Sequence, residues 1–201
     1  NEIEILQVAT NLFNSFGASD THFEILFNNR KFIDHFFETT LSLNKDQSYD
    51  LYKLIDRSKK LPPEKFNNQL DELNLNDQNK KLFLGYLQLN SIDQFIAFSK
   101  SISFPTESWD VETFLKTAES AGIKDYLTFD PTIVRGLDYY TGLVFEVFDK
   151  HPDNRRALCG GGAYAGLMKI FNEEQLPGVG FGLGDVTLKD FLESHSLLPD
   201  L

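Results

Sequence analysis

The chain has 201 residues, of which 41% are hydrophobic and 13% aromatic, and its thirty acidic and nineteen basic side chains give a net charge of -11. This composition predicts a folded globular protein of one or two folding units and excludes a generally basic nucleic-acid clamp. Its short basic runs are interpreted as solvated faces. These runs are Arg57/Lys59/Lys60, Lys80/Lys81 and Arg155/Arg156.

Cysteine and histidine usage gives no sign of a disulfide or a metal site. Cys159 is the single cysteine, so it has no partner for an internal disulfide and no second thiolate for zinc, and a reducing, cytoplasmic compartment is expected. The histidines are dispersed along the chain at His22, His35, His151 and His195. No apolar stretch approaches the about 20 residues that span a bilayer, so no membrane association is expected.

The first thirty residues are predicted to form a helix and a strand. Apolar residues recur at spacings of three and four across residues 2–16, and Gly17 ends this pattern. Residues 22–27 (HFEILF) have the length and composition of a strand, and Asn28-Asn29 are predicted to form a turn after it.

Residues 31–104 are predicted to form a separate, all-helical insertion module. Helical periodicity recurs in FIDHFFETTL, SYDLYKLIDRS, KKLFLGYLQL and IDQFIAFSK, and Pro62-Pro63 and polar Asn/Asp clusters interrupt it. The plain interpretation of this module is a spacer or packing unit. Residues 1–30 and 105–201 are then the two parts of a single α+β domain.

The remaining elements of that domain follow Pro105. A helix is predicted over residues 111–121 with Gly122 at its C-terminal cap, then strands over 126–129, 143–148, 157–159 and 178–183, and a helix over 186–195 with Asp185 as its N-cap. An antiparallel sheet is expected, because the strands near Tyr126, Leu143 and Ala157 have no crossover helices between them.

Residues 134–146 (VRGLDYYTGLVFE) contain the most informative pattern in the chain. A guanidinium, two phenols and a carboxylate lie among glycines that allow a ligand to approach the backbone, which suits a small zwitterion or a phosphate. The alternative is a plain β-hairpin with half-buried tyrosines, in which Arg135 pairs with Asp138.

Three motifs resemble those of the histidyl-tRNA synthetases. RGLDYYTGLVFE resembles their histidine-recognition signature, CGGGAYAGL (residues 159–167) their second histidine-specific motif, and PGVGFGLGDVTL (residues 177–188) the last class II synthetase motif. The opening helix and strand also resemble the segment after the second class II motif. The resemblance implies part of a class II antiparallel sheet with flanking helices.

The resemblance also implies a reaction and its site residues. Histidine would be activated by ATP, with Mg²⁺, and then transferred to tRNA(His), without a tightly bound cofactor. Arg135 would be catalytic and would contact histidine and ATP, since a guanidinium stabilises charge on phosphate oxygens. Phenols can donate to and accept from an imidazole. The implied histidine site consists of Arg135, Tyr139, Tyr140, Gly161, Gly162 and Tyr164, and the implied ATP site of Arg135, Gly184 and Thr187.

This sequence departs from the family pattern at four positions. Ala163 and Ala165 replace the usual Arg and Asp of the second motif, and Val186 and Thr187 replace the Glu-Arg pair whose arginine grips ATP. Such changes also fit a second hypothesis, the synthetase-like, non-catalytic regulatory subunit of ATP phosphoribosyltransferase. A third is a structural α+β domain that binds neither ligand.

The chain is interpreted as an internal fragment. It begins at Asn1 inside a helical pattern, and Leu197-Leu198-Pro199 resembles the linker to an anticodon-binding domain. The first two class II motifs, which supply the dimer interface and an ATP-binding arginine, are missing. The fragment alone is therefore expected to be inactive, and the full-length protein to be a homodimer.

Overall fold

The computed structural model describes residues 2–134, 139–174 and 176–199. The α-helices are α1 (Glu2–Asn14), α2 (Arg30–His35), α3 (Lys45–Ser58), α4 (Pro63–Glu72), α5 (Asp77–Leu87), α6 (Ile92–Ser101), α7 (Val111–Ser120) and α8 (Asp185–Ser194). A π-helical turn (Phe36–Thr40) continues α2, and 3-10 turns occupy Lys124–Tyr126 and Leu167–Phe171. The strands are β1 (Phe23–Asn29), β2 (Leu127–Phe129), β3 (Leu143–Asp149), β4 (Cys159–Ala163) and β5 (Val179–Leu183).

The five strands form one mixed sheet in the order β2-β1-β3-β4-β5. β1, β3, β4 and β5 pair in antiparallel fashion, whereas β2 is parallel to β1. The α+β class is confirmed, and the parallel edge was not predicted. The prediction considered only the connections after residue 126, whereas the helical residues 30–126 between β1 and β2 are ample for a parallel crossover.

One face of the sheet packs against α1, α7 and α8 through aromatic side chains. Phe13 of α1 lies 5.0 Å from Phe23 and 5.5 Å from Phe191, measured between ring centroids. Phe27 contacts Phe114 of α7 at 5.4 Å. Alternate β-strand residues point to one face, so the Phe-rich positions of β1 place the main apolar core on this side, called here the core face.

The helical residues between β1 and β2 continue that core. α2 to α6 enclose fully buried aromatic side chains, which belong to the same apolar cluster as the core-face residues. They include Phe32, Phe36, Phe37, Phe83 and Phe95. α4, which begins at Pro63, was not predicted, although proline in the first turn of a helix is well tolerated. The division of the chain into a domain and an insertion module stays a prediction.

Three local predictions were wrong. Asn28 and Asn29 lie inside β1, fully buried, instead of forming a turn. The Asn28 amide is satisfied by Tyr86 Oη and by the backbone N–H of Asn29, whereas Asn29 Nδ2 has no hydrogen-bond partner among the described residues. β4 begins at Cys159 and runs through the three glycines. Gly184, not Asp185, is the N-cap of α8, since Asp185 is already helical and its carboxylate accepts a hydrogen bond from the adjacent Val186 N–H.

Among the residues that the structure describes, no helix is long and apolar enough to cross a membrane.

Candidate functional site

The face of the sheet opposite the core face, called here the site face, has a floor of glycines. The strand register aligns Val144 with Gly162 and then Gly180, and Glu146 with Gly160 and then Gly182. Directly paired residues point to the same face, so the β4 and β5 positions of this face carry no side chains. The result is a shallow surface on which a ligand can approach the backbone.

Three tyrosines cover one end of this glycine floor. Tyr140 is buried above Gly162, where an added Cβ would lie 2.8 Å from the tyrosine ring. Tyr164 covers Gly178 and Gly180 in the same way, at 2.6 Å from each added Cβ. Tyr139 completes the cluster. Its ring centroid lies 4.7 Å from that of Tyr140 and 5.8 Å from that of Tyr164, so the structure brings together all three predicted tyrosines.

The remaining predicted site residues lie elsewhere. Gly161 is on the core face, where an added Cβ would lie 2.5 Å from Phe181. Gly184 follows the end of β5, about 13 Å from Gly180 at the usual rise of a strand, and Thr187 lies in the first turn of α8. The Thr187 hydroxyl lies 3.1 Å from the carbonyl of Gly184, to which it donates. Arg135 falls outside the described residues.

The hairpin alternative pairs Arg135 with Asp138, and this pair lies outside the described residues. On either side of this segment, Val134 and Tyr140 are buried and Tyr139 is half-buried.

Three long-range hydrogen bonds hold the C-terminal end of the signature segment. The Glu2 carboxylate, at the start of α1, accepts a hydrogen bond from Leu143 N at 2.8 Å. The Thr141 N–H donates to Ala163 O at 2.9 Å, and its hydroxyl oxygen accepts from Ala165 N at 2.8 Å. The role of Glu2 was missed from the sequence, since its partner is 141 residues away and no local pattern signals the contact. At Ala163 and Ala165 the contacts use the backbone, which any residue type supplies.

A buried hydrogen-bond network joins β1 to α5 beside the site face. Asn28 Nδ2 donates to Tyr86 Oη at 2.8 Å and to Pro131 O at 3.3 Å. Tyr86, on α5, donates in turn to Pro131 O at 3.3 Å. Desolvation by complete burial raises the pKa of the Tyr86 phenol, so its hydroxyl stays protonated and remains a donor at neutral pH.

A cavity of about 660 Å³ lies where α3 meets the site face. Its charged lining combines two of the basic runs seen in the sequence with acidic groups from α3 and β3. These residues are Lys59, Lys60, Arg155, Arg156, Asp56 and Glu146. The fold brings these two basic runs to one cavity, and their side chains remain exposed to solvent, as the sequence predicts. The mixed charge of this cavity suits a ligand that carries anionic and cationic groups.

Three of the four histidines converge near the C-terminal end of α8, although they are dispersed in the sequence. The His195 ring lies 4.8 Å from that of His22 and 5.9 Å from that of His151. His195 Nε2 lies 2.7 Å from a carboxylate oxygen of the buried Asp149. Within the described ranges, no group of three His, Cys, Asp or Glu side chains is arranged to hold a metal ion. We interpret this cluster as packing that fastens α8 to the sheet.

Comparison with known proteins points to one family. A family model described as histidyl-tRNA synthetase matches residues 1–187. Histidine–tRNA ligase of Leptospira biflexa is 34% identical over 203 aligned positions, which cover 99% of this chain and 45% of that protein. The chloroplastic/mitochondrial histidine–tRNA ligase of Arabidopsis thaliana is 30% identical, over 100% of this chain and 40% of that protein. The chain thus spans a little under half the length of these curated relatives.

Solved structures agree with the sequence relatives. The crystal structure of histidyl-tRNA synthetase from Nostoc sp. PCC 7120 superimposes with a TM-score of 0.82 at 25% identity, over 99% of this chain and 48% of that one. A structure described as an ATP phosphoribosyltransferase regulatory subunit/histidyl-tRNA synthetase from Bacillus halodurans gives a TM-score of 0.78 at 20% identity, over 94% and 49%, and shows the fold alone. The family model, which matches most of the chain, shows that the chain belongs to the histidyl-tRNA synthetase family.

Proposed function

We propose that this chain is the histidine-recognition segment of a histidine–tRNA ligase. The complete protein would activate histidine with the magnesium complex of ATP. It would then transfer the histidyl group to tRNA(His). The observation that carries the proposal is the cluster of Tyr139, Tyr140 and Tyr164 over the glycine floor, next to the segment that contains Arg135.

The chemistry of the site face supports histidine as the ligand. A neutral imidazole has one N–H and one bare nitrogen, and phenols can satisfy both because each can donate and accept. Glu146, farther along the same face, supplies a carboxylate that suits an ammonium group or an imidazole N–H. Arg135 would hold the histidine carboxylate and the α-phosphate, where a fixed guanidinium stabilises the developing charge.

The proposal concerns a complete protein that is longer than this segment. The relatives are about twice as long, which supports a product that carries the other class II motifs and an anticodon-binding domain. We propose that this product is a cytoplasmic homodimer, and that the 201-residue segment alone does not catalyse activation.

Calorimetric titration of the complete protein with histidine, followed by histidine-dependent pyrophosphate exchange, tests the proposal. Histidine binding and exchange are expected in the complete protein, and exchange at background in the isolated 201-residue chain. Arg135→Lys in the complete protein is expected to lower exchange by about 100-fold or more, because an ammonium cannot reproduce a two-pronged contact. Absence of histidine binding by the complete protein contradicts the proposal, and strong exchange by the isolated chain contradicts the need for the other motifs.

A second candidate is a histidine-binding regulatory subunit without ligase activity. Val186, where the family has the acidic member of its Glu-Arg pair, is a 55% exposed apolar side chain, and the Thr187 hydroxyl is used within its own helix turn. Neither side chain offers a charge to ATP phosphates. Histidine binding together with background exchange in the complete protein would favour this candidate over the ligase.

A further inference from the structure

Arg30 contacts both ends of the segment that carries the histidine-recognition signature. It is the first residue of α2, directly after β1, and only 8% of its surface is exposed. Its backbone N–H donates to Gly142 O at 2.8 Å, and its side-chain Nη1 donates to Val134 O at 3.4 Å. Arg30 therefore donates to the carbonyl of Val134, which precedes residues 135–141, and to the carbonyl of Gly142, which follows them.

The Arg30 guanidinium is held in turn by residues of the helices that follow β1. Its Cζ lies 4.0 Å from the ring centroid of Tyr52 on α3, within the range of a cation–π contact. Its Nε lies 3.9 Å from the Asp34 carboxylate, which also accepts a hydrogen bond from the Tyr52 hydroxyl. Burial raises the pKa of Tyr52, so this phenol remains protonated and remains a donor to Asp34.

Burying the Arg30 guanidinium here is energetically unfavourable compared with burying an apolar side chain. A buried cation loses its hydration, and replacing such a group by apolar side chains is often neutral or stabilising. Among the described residues, Arg30 Nε has no hydrogen-bond partner, and the bond to Val134 O is long. The contacts of the guanidinium therefore do little for stability alone. They do connect α2 and α3 to the signature segment.

We propose that Arg30 is a positioning residue for histidine recognition. It holds both ends of the signature segment against α2 and α3, so that a displacement of these helices is transmitted to the tyrosine cluster as a change in histidine affinity. This inference rests on the proposed function, because histidine is the ligand whose affinity is measured. Arg30 itself is not assigned a contact with substrate.

The test compares Arg30→Met and Arg30→Lys with a control, Asn79→Ala, in the complete protein. Asn79 Nδ2 donates to Leu41 O at 2.8 Å, so the control removes a part-buried hydrogen bond within the same helices whose partner does not lie beside the signature segment. KM values for histidine and for ATP are measured by pyrophosphate exchange, together with melting temperatures and hydrogen exchange of the Ile133 amide, which donates to Asp130 O directly before Val134.

Arg30→Met is expected to raise KM for histidine about 10-fold, the scale of losing one polar contact, and to leave KM for ATP within about twofold. Arg30→Lys should show the same split, since an ammonium does not reproduce the planar contact with the Tyr52 ring together with the hydrogen bond to Val134 O, and Asn79→Ala should match wild type. Equal rises in both KM values would overturn the proposal, as would an unchanged KM for histidine. If Arg30→Met does not fold, Arg30→Lys is judged by the same criteria.

Hydrogen exchange separates this inference from the proposed function. If the wild-type complete protein does not bind histidine, the proposed function fails, but the contacts of Arg30 are still tested. Faster exchange at Ile133 in the Arg30 variants, with Asn79→Ala unchanged, supports positioning by the Arg30 side chain. Exchange equal to wild type at this amide overturns it.

Discussion

The two faces of the sheet are built on different principles, although the same strands supply both. On the core face, Phe27 and Phe145 are fully buried and pack against other rings. On the site face, Gly162 and Gly180 leave a floor that only the rings of Tyr140 and Tyr164 partly cover. The core face is filled by large side chains of the strands, whereas the site face has glycines that leave room for the tyrosine rings and for a ligand.

This difference separates stability from recognition. Close packing on the core face makes each lost atom costly to the folded state. On the site face, a substitution can change ligand binding without removing atoms from the apolar core. Substitutions on the two faces should therefore fall into two classes, one that lowers the melting temperature and one that lowers histidine affinity.

Phe145→Ala should have the largest effect and should act on stability. Phe145 is fully buried beside Phe181, and truncation of such a ring costs about 3 to 5 kcal/mol. The melting temperature of the complete protein should fall by many degrees, and the fraction that stays folded should bind histidine with wild-type affinity. A normal melting temperature would show that the core face is not the source of stability.

Gly162→Ala tests the close approach of the Tyr140 ring to the glycine floor, with Gly182→Ala, where the floor is open, as its matched control. An added Cβ at Gly162 would lie 2.3 Å from Leu143 O and 2.8 Å from the Tyr140 ring, whereas at Gly182 it meets nothing within 4 Å. Gly162→Ala should cost about 1 to 3 kcal/mol through overpacking and should displace Tyr140. Melting temperature and histidine calorimetry check this, and equal effects of the two substitutions would contradict it.

Tyr140→Phe should weaken histidine binding without changing stability much. If the hydroxyl bonds the imidazole, its removal leaves a buried nitrogen unpaired, which costs about 1 to 3 kcal/mol, or roughly 5 to 150-fold in affinity. Calorimetry measures the affinity and the melting temperature controls for folding. Unchanged affinity with a lowered melting temperature would assign Tyr140 to packing.

Tyr86→Phe should have the smallest effect, and one that depends on pH. The pKa of Tyr86 is raised in the folded protein by burial, so its stabilising contribution is complete below the unfolded value of about 10 and is lost as pH rises through the folded pKa. The gap in melting temperature between wild type and Tyr86→Phe should therefore be constant from pH 7 to 9 and shrink above about pH 10. A gap that stays constant to pH 11 would show that the phenol is not buried.

The sequence predicts local elements well and distant contacts poorly. Apolar periodicity is sufficient for α3 and β3, because burial of one face leaves a pattern within a few residues. Asn28 was assigned to a turn by its local preference, but its amide is satisfied by Tyr86, which is 58 residues away. The tyrosine cluster was predictable from the motifs, whereas Glu2 and Arg30 were not, since their partners lie more than a hundred residues away.

The parallel pairing of β1 with β2 has a consequence for the order of folding. A direct search of β1 for β2 would close a loop formed by residues 30–126, and long loops carry an entropic cost that slows non-local pairing. The helices within that loop are held by backbone hydrogen bonds between residues close in sequence, so they can form first, and their packing shortens the distance that the strand ends must cover. During synthesis the helices are complete before β2 emerges, so they can fold before β2 pairs with β1.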